Sequence, residues 1–212
     1  MTRIPTLIET VRVREGRAPL WHLHLRRLVE SCRALGVPFP GTFDVPAGHD
    51  RVVRLAVGAR GLEVTERAVG SAEPVRLATA RTRHPGYPHK TTDREPFDRA
   101  RDEAAAAGAD DALLLTHGGD VAECSIWALL WWEGDRLAGP PASLGVLRSV
   151  GRMRLEEQGE PQSPRVVRPE ALAGRSLLVV NAARGVVPVA SLDGVPVPPD
   201  PRTGRLAQRF WA

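Results

Sequence analysis

Lysine is almost missing from this chain: of its 29 Lys and Arg side chains, Lys90 alone is a lysine. A coding bias toward arginine accounts for the scarcity but not for the survivor. Arginine replaces lysine well on a solvated surface. It cannot replace an amine that must lose its proton and attack a carbonyl, because guanidinium stays protonated at any working pH. Lys90 is therefore either a candidate Schiff-base nucleophile or a surface lysine that the bias has spared. Cysteine is nearly as scarce. Cys32 and Cys124 are the only two, far apart and without metal-ligand spacing, so no metal is expected, and both thiols suit buried positions in a reducing cytoplasm. The net charge is only +4, with no run of five or six like charges and no basic cluster interleaved with aromatics, which leaves nucleic-acid binding without support. No apolar stretch approaches the roughly 18 to 20 residues needed to cross a bilayer. Met1 to Pro5 also lack the apolar core of a signal peptide. These absences together predict a cytoplasmic protein with no membrane partner.

With 212 residues, 42% of them hydrophobic and 25% charged, the chain can bury one large core or two small ones. Leu7 to Arg14 reads as a half-buried strand, and Ala18 to Trp21 as a short returning one after the turn at Glu15 to Arg17. His22 to Leu35 has helical spacing and ends at Gly36. A loop follows over Pro40 to Asp50, then a hairpin of Arg51–Val57 and Leu62–Arg67, then a strand over Pro74–Arg83. Residues 84–89, His-Pro-Gly-Tyr-Pro-His, read as a linker. Beyond it come a helix over Pro96–Ala107, strands at Ala112–Thr116 and from Val121, and an apolar strand over Ser125–Trp132. A helix over Arg148–Glu157, a strand at Arg165–Val167, a short helix at Pro169–Ala173 and strands at Ser176–Asn181 and Pro188–Leu192 complete the pattern. Mixed helices and strands with many hairpins predict an α+β fold in two domains, 1–83 and 90–212.

Three further features bear on chemistry. Glu123 opens a mostly apolar strand, where a carboxylate is costly unless it meets a cation or an N–H donor, or stays at a strand edge in water. The turns at Gly145–Arg152 and Asn181–Gly185 offer backbone amides, the first of them leading into a helix that suits a phosphate. Among His24-Leu25-Arg26-Arg27-Leu28, one arginine could turn inward to a phosphate, or the set could coat a surface.

The motifs also follow a known order. Ile8-Glu9-Thr10-Val11-Arg12-Val13, His24 to Leu28, His89-Lys90-Thr91-Thr92-Asp93-Arg94, Gly118 to Glu123 and the stretch ending in Asp193-Gly194 together resemble the class IV aminotransferases. These are the fold-type IV enzymes of pyridoxal 5'-phosphate (PLP), and among them the chain is most similar to the aminodeoxychorismate lyases. The resemblance implies a small N-terminal α/β domain and a larger C-terminal domain with a mixed-sheet pseudo-barrel. It implies that Lys90 carries the cofactor and moves protons, that Glu123 pairs with the pyridine nitrogen, and that Arg27 binds the phosphate with amides near Val150, Gly151 and Ala182. Thr10 matches a threonine implicated in the lyase reaction, in which 4-amino-4-deoxychorismate gives 4-aminobenzoate and pyruvate. The resemblance also implies a small-molecule amino substrate, a homodimer and pairing with an aminodeoxychorismate synthase. An aminotransferase of branched-chain or D-amino acids stays open beside the lyase. So does a non-catalytic relative, since Ala128 stands where the family has Asn and residues 148–151 depart from its phosphate turn.

Overall fold

The first strand shows how its residues choose their sides. In the computed structural model, which describes residues 4–41, 43–45 and 48–212, β1 spans Leu7–Val13. Side chains alternate along a strand, so Leu7, Glu9, Val11 and Val13 share one side, away from Ile8, Thr10 and Arg12. β1 pairs antiparallel with β2 (Arg51–Gly58), and β2 with β3 (Gly61–Arg67), in a three-stranded sheet. Helix α1 (Trp21–Leu35) packs Leu28 and Cys32 against Leu7 and Val57. It ends where Gly36 takes a left-handed conformation, φ 64°, a position that favours a residue without Cβ. The expected strand at Ala18–Trp21 does not form. Arg14 and Arg17 make a lone bridge, and Trp21 N–H already donates to Ala18 O as the helix begins. Part of the expected 40–50 loop, residues 42, 46 and 47, lies outside the described residues.

A larger mixed sheet occupies the second unit. β4 (Val75–Arg83) runs parallel to β5 (Asp111–Leu115), joined through α2 (Glu95–Ala106), and β5 turns back into β6 (Val121–Cys124). β7 (Ala128–Glu133), β8 (Arg136–Gly139), β9 (Gln162–Pro164), β10 (Leu177–Asn181), β11 (Gly185–Leu192) and β12 (Val195–Pro196) complete it. The order is β6-β5-β4-β11-β10-β7-β8-β9, with β12 on β11, and the sheet curls into a half-barrel. Leu113, Leu129, Trp131, Val179 and Val187 form its apolar centre. α3 (Val150–Glu157) begins after Ser149, whose hydroxyl accepts from Arg152 N–H at 3.4 Å, and α4 (Pro201–Arg209) closes the chain.

The division of the chain differs from the expected cut at residues 84–89. Compact packing groups residues up to Ser71 with 89–93 and 182–184; Ala72–Pro88, Arg94–Asn181 and Gly185–Ala212 form the other unit. β4, expected in the first domain, lies between β5 and β11 in the large sheet. The His89–Asp93 segment belongs instead with the small sheet. Two strand expectations also shift. The apolar run from Ser125 starts pairing only at Ala128, because Cys124 N–H donates to Trp127 O and makes a bend. The strand expected at Arg165–Val167 stands earlier, as β9.

Gly151 marks a close helix–sheet approach. A Cβ there would come 2.6 Å from Val180 Cγ2 and 3.2 Å from the Asn181 backbone. Gly151→Ala should therefore lower stability by about 1–3 kcal/mol in denaturant unfolding, whereas an added methyl at exposed Gly204, with nothing within 4 Å, should cost nothing.

Candidate functional site

In the small unit a carboxylate stands on the side of β1 that is otherwise apolar. Glu9 is 2% exposed between Leu7 and Val11, and it is met from α1 by two residues one turn apart. Arg27 donates Nε to Oε1 at 2.9 Å and Nη2 to Oε2 at 2.5 Å, a bidentate pair. His24 Nδ1 lies 2.6 Å from Oε2. Burial alone would raise the Glu9 pKa, but the charge of Arg27 and the bonds from both partners outweigh it and hold it at about 2. Burial pushes the His24 pKa down. The bond and charge of Glu9 oppose this, and the charges of Arg27 and Lys90 add to the lowering.

The lysine segment runs along the free edge of β1 and meets it through one isolated bridge. Ile8 N–H donates to Lys90 O at 2.8 Å, Thr92 N–H donates to Thr6 O at 2.9 Å, and Leu7 bridges to Thr91. Lys90 is half-buried. Thr10 is also half-buried, two residues beyond Ile8 and thus on the same side of β1 as Ile8. Lys90 and Thr10 thus both belong to the edge of this sheet, with Thr10 on the side of β1 opposite the one that Arg27 meets. Ala182, in the 182–184 segment of the same unit, is buried. Arg27, expected to meet a phosphate, already commits Nε and Nη2 to Glu9.

In the large unit Glu123 is 7% exposed on β6. Its Oε1 lies 2.8 Å from His84 Nε2 and accepts Leu147 N–H at 2.9 Å. Both contacts fall on Oε1, and the charge of this carboxylate also acts on the buried guanidinium of Arg152. Val150 and Gly151 open α3. The N–H groups of a first helical turn have no partner within the helix and point where an anion is favoured. Two residues of this arrangement escaped the reading of the sequence. Glu9 was visible in principle, as the acid that interrupts an apolar alternation. His84 was not, because His-Pro-Gly-Tyr-Pro carries the signals of a linker.

Residues 59–192 match the family model described as Amino-transferase class IV. A search of curated proteins finds no match. Among solved structures, a candidate 4-amino-4-deoxychorismate lyase is 26% identical over 99% of this chain and 91% of its own, with a TM-score of 0.80. A candidate amino-acid aminotransferase from Mesorhizobium loti is 27% identical over 88% of this chain and 99% of its own, with a TM-score of 0.77. A hypothetical aminotransferase from Mycobacterium tuberculosis in a PLP-bound form, at 21% identity, covers 98% of this chain and 88% of its own with a TM-score of 0.84, and shares the fold. The residue types fit PLP: the chain's one lysine, a buried carboxylate at Glu123 with one oxygen taken by N–H donors, and first-turn amides at Val150 and Gly151, while Arg27 is engaged by Glu9.

The Glu9 pair makes an acid-sensitive joint. Its folded pKa of about 2 lies below the ordinary 4.5, so its contribution is complete above that ordinary value and is lost as pH falls from 4.5 toward 2. His24, also lowered from 6.5, sheds stability as pH falls below that value. The Glu9 contribution amounts to about 3 kcal/mol. Glu9→Gln should lower stability at pH 7 by about that amount, since Arg27 stays buried without its charge partner. Urea unfolding of the variant should then vary less between pH 4.5 and 2 than that of the parent; equal slopes would refute the assignment.

Proposed function

Because the chain belongs to the class IV aminotransferase family, whose members are PLP-dependent enzymes, we propose that it is an aminodeoxychorismate lyase. The observation that carries the reading is the seating of Lys90. Its carbonyl is bonded to Ile8 N–H, on the strand that presents Thr10. Lys90 would bear the cofactor through Nζ and, once released, take the proton from the substrate carbon that bears the amino group. Glu123 would face the pyridine nitrogen with the oxygen that His84 and Leu147 leave open. The phosphate would be held by the N–H groups of Val150, Gly151 and Ala182 and the charge of Arg27. When bound, PLP supplies a carbonyl for the amine and an electron sink for the carbon that loses its proton. Departure of the enolpyruvyl group, by cleavage of its ring C–O bond, leaves an aromatic ring, and protonation of the enol yields pyruvate. Thr10 would serve that departure through its hydroxyl. The reading extends to a homodimer working in the cytoplasm beside an aminodeoxychorismate synthase that supplies the substrate.

A second reading, an aminotransferase of branched-chain or D-amino acids, is supported by the likeness to the Mesorhizobium loti protein, and it uses Lys90 and Glu123 in the same way. The acceptor separates the two. Protein loaded with PLP and given 4-amino-4-deoxychorismate without any keto acid should release 4-aminobenzoate and pyruvate in equal amounts. Lys90→Ala should reduce kcat by about 10³-fold or more, and Thr10→Val should reduce lyase turnover by about tenfold to hundredfold while sparing PLP binding. Activity that appears only when a keto acid is added would assign the aminotransferase instead.

A further inference from the structure

We infer that His84 is a positioning residue for Glu123, holding one carboxylate oxygen so that the other is aimed at a cationic ring nitrogen. The inference rests on the cofactor reading of Glu123 given above. His84 is 2% exposed, at the end of β4, and its N–H donates to Leu115 O at 2.8 Å. Its ring is fixed from three directions. Phe97 of α2 packs edge-on at 5.6 Å between centroids and 82° between planes. Gly86 N–H donates to Nδ1 at 3.2 Å, and Nε2 faces Glu123 Oε1 at 2.8 Å. A backbone N–H can only donate, so Nδ1 must accept, and the ring's proton sits on Nε2. The contact to Glu123 is therefore an N–H donation, not a shared proton of uncertain direction.

The second donor to the same oxygen is brought by an equally deliberate packing. Leu147 N–H belongs to the loop after Gly145, and Tyr87 N–H donates to Gly145 O at 2.6 Å. Gly145 and Gly86 both have positive φ, 72° and 74°, and a Cβ on Gly145 would come 3.1 Å from Gly86 Cα. Glycine at position 145 lets the two loops close this tightly without backbone strain. Both loops then converge on Oε1 and neither reaches Oε2. A free carboxylate can rotate and present either oxygen; this one has a single orientation. With both donors on one oxygen, the other is left for a cation.

Binding and spectra test this on the full-length apo protein titrated with PLP. His84→Leu should weaken PLP binding by about tenfold or more, as loss of an outer partner does for ligating side chains at metal sites, and should move the pH midpoint of the visible absorbance band. His84→Gln, which can return an N–H to Oε1, should bring affinity back to within about threefold. In a Glu123→Gln background His84→Leu should add no further loss, because His84 acts through Glu123. Unchanged affinity and spectrum in folded His84→Leu, beside a marked defect in Glu123→Gln, would overturn the role of His84 alone. An unchanged Glu123→Gln would overturn the cofactor reading of Glu123 itself. One measurement needs no destabilising variant: imidazole ¹⁵N–¹H spectra of the apo protein, with His84→Gln used only to assign the signal. The proton should be on Nε2 of His84, and finding it on Nδ1 would overturn the inference.

Discussion

A buried carboxylate must find donors, and in each unit of this protein the local structure is arranged around one that does. Glu9 meets its need with charge. Arg27 and His24 lie one helical turn apart on α1 so that both reach the same side of β1. Glu123 meets its need with N–H groups, from a histidine and a backbone amide carried by loops that two glycines allow to touch. The difference decides what each can do next. A carboxylate already paired with guanidinium is electrically satisfied and serves as a structural joint. One held by N–H donors on a single oxygen keeps the other oxygen available to a cation that arrives later.

That contrast also explains why the two carboxylates were not equally legible. The alternation Leu7, Glu9, Val11, Val13 places an acid on a core-facing side, and such an acid implies a partner on the packing helix. His24 and Arg27 were visible there at helical spacing. Local patterning likewise exposed α1 with its Gly36 cap, the β2–β3 hairpin and the strand cores around Leu113 and Val179. Glu123 was readable as an acid in apolar company, but its true donors were not. His84 lies 39 residues away in the chain and within a Pro-Gly stretch that has every mark of a linker.

The misplaced boundary has the same origin. β4 reads locally like one more strand of the small sheet, following its hairpin. What assigns it to the large sheet is parallel pairing with β5 across α2 and with β11 over a hundred residues later. Parallel pairing leaves no signature in neighbouring residues, because its register is set by a crossover and by burial on both faces. The shortened β7 is a gentler case. Ser125 spends its hydroxyl on buried Asp111, and Ile126 N–H donates to the same carboxylate at 3.3 Å, so an apolar run that looked continuous is bent at its start by a polar contact.

The composition itself then acquires a structural meaning. At Glu9, where a buried charge must be matched in two places at once, the planar fork of arginine is the better residue, and Arg27 uses it bidentately. On exposed helices such as α2, arginines pair with Asp and Glu one turn away, as Arg101 does with Asp98 at 2.7 Å, and lysine would serve about as well. Neither setting demands lysine, so a bias toward arginine can clear it from both. Position 90 is different: the backbone is pinned to β1 while the residue is half-buried, a placement that costs chain entropy and holds the chain's one lysine at the edge of the small sheet. A permanently charged guanidinium there would forfeit the one property that arginine cannot imitate, the capacity to give up its proton and become a nucleophile.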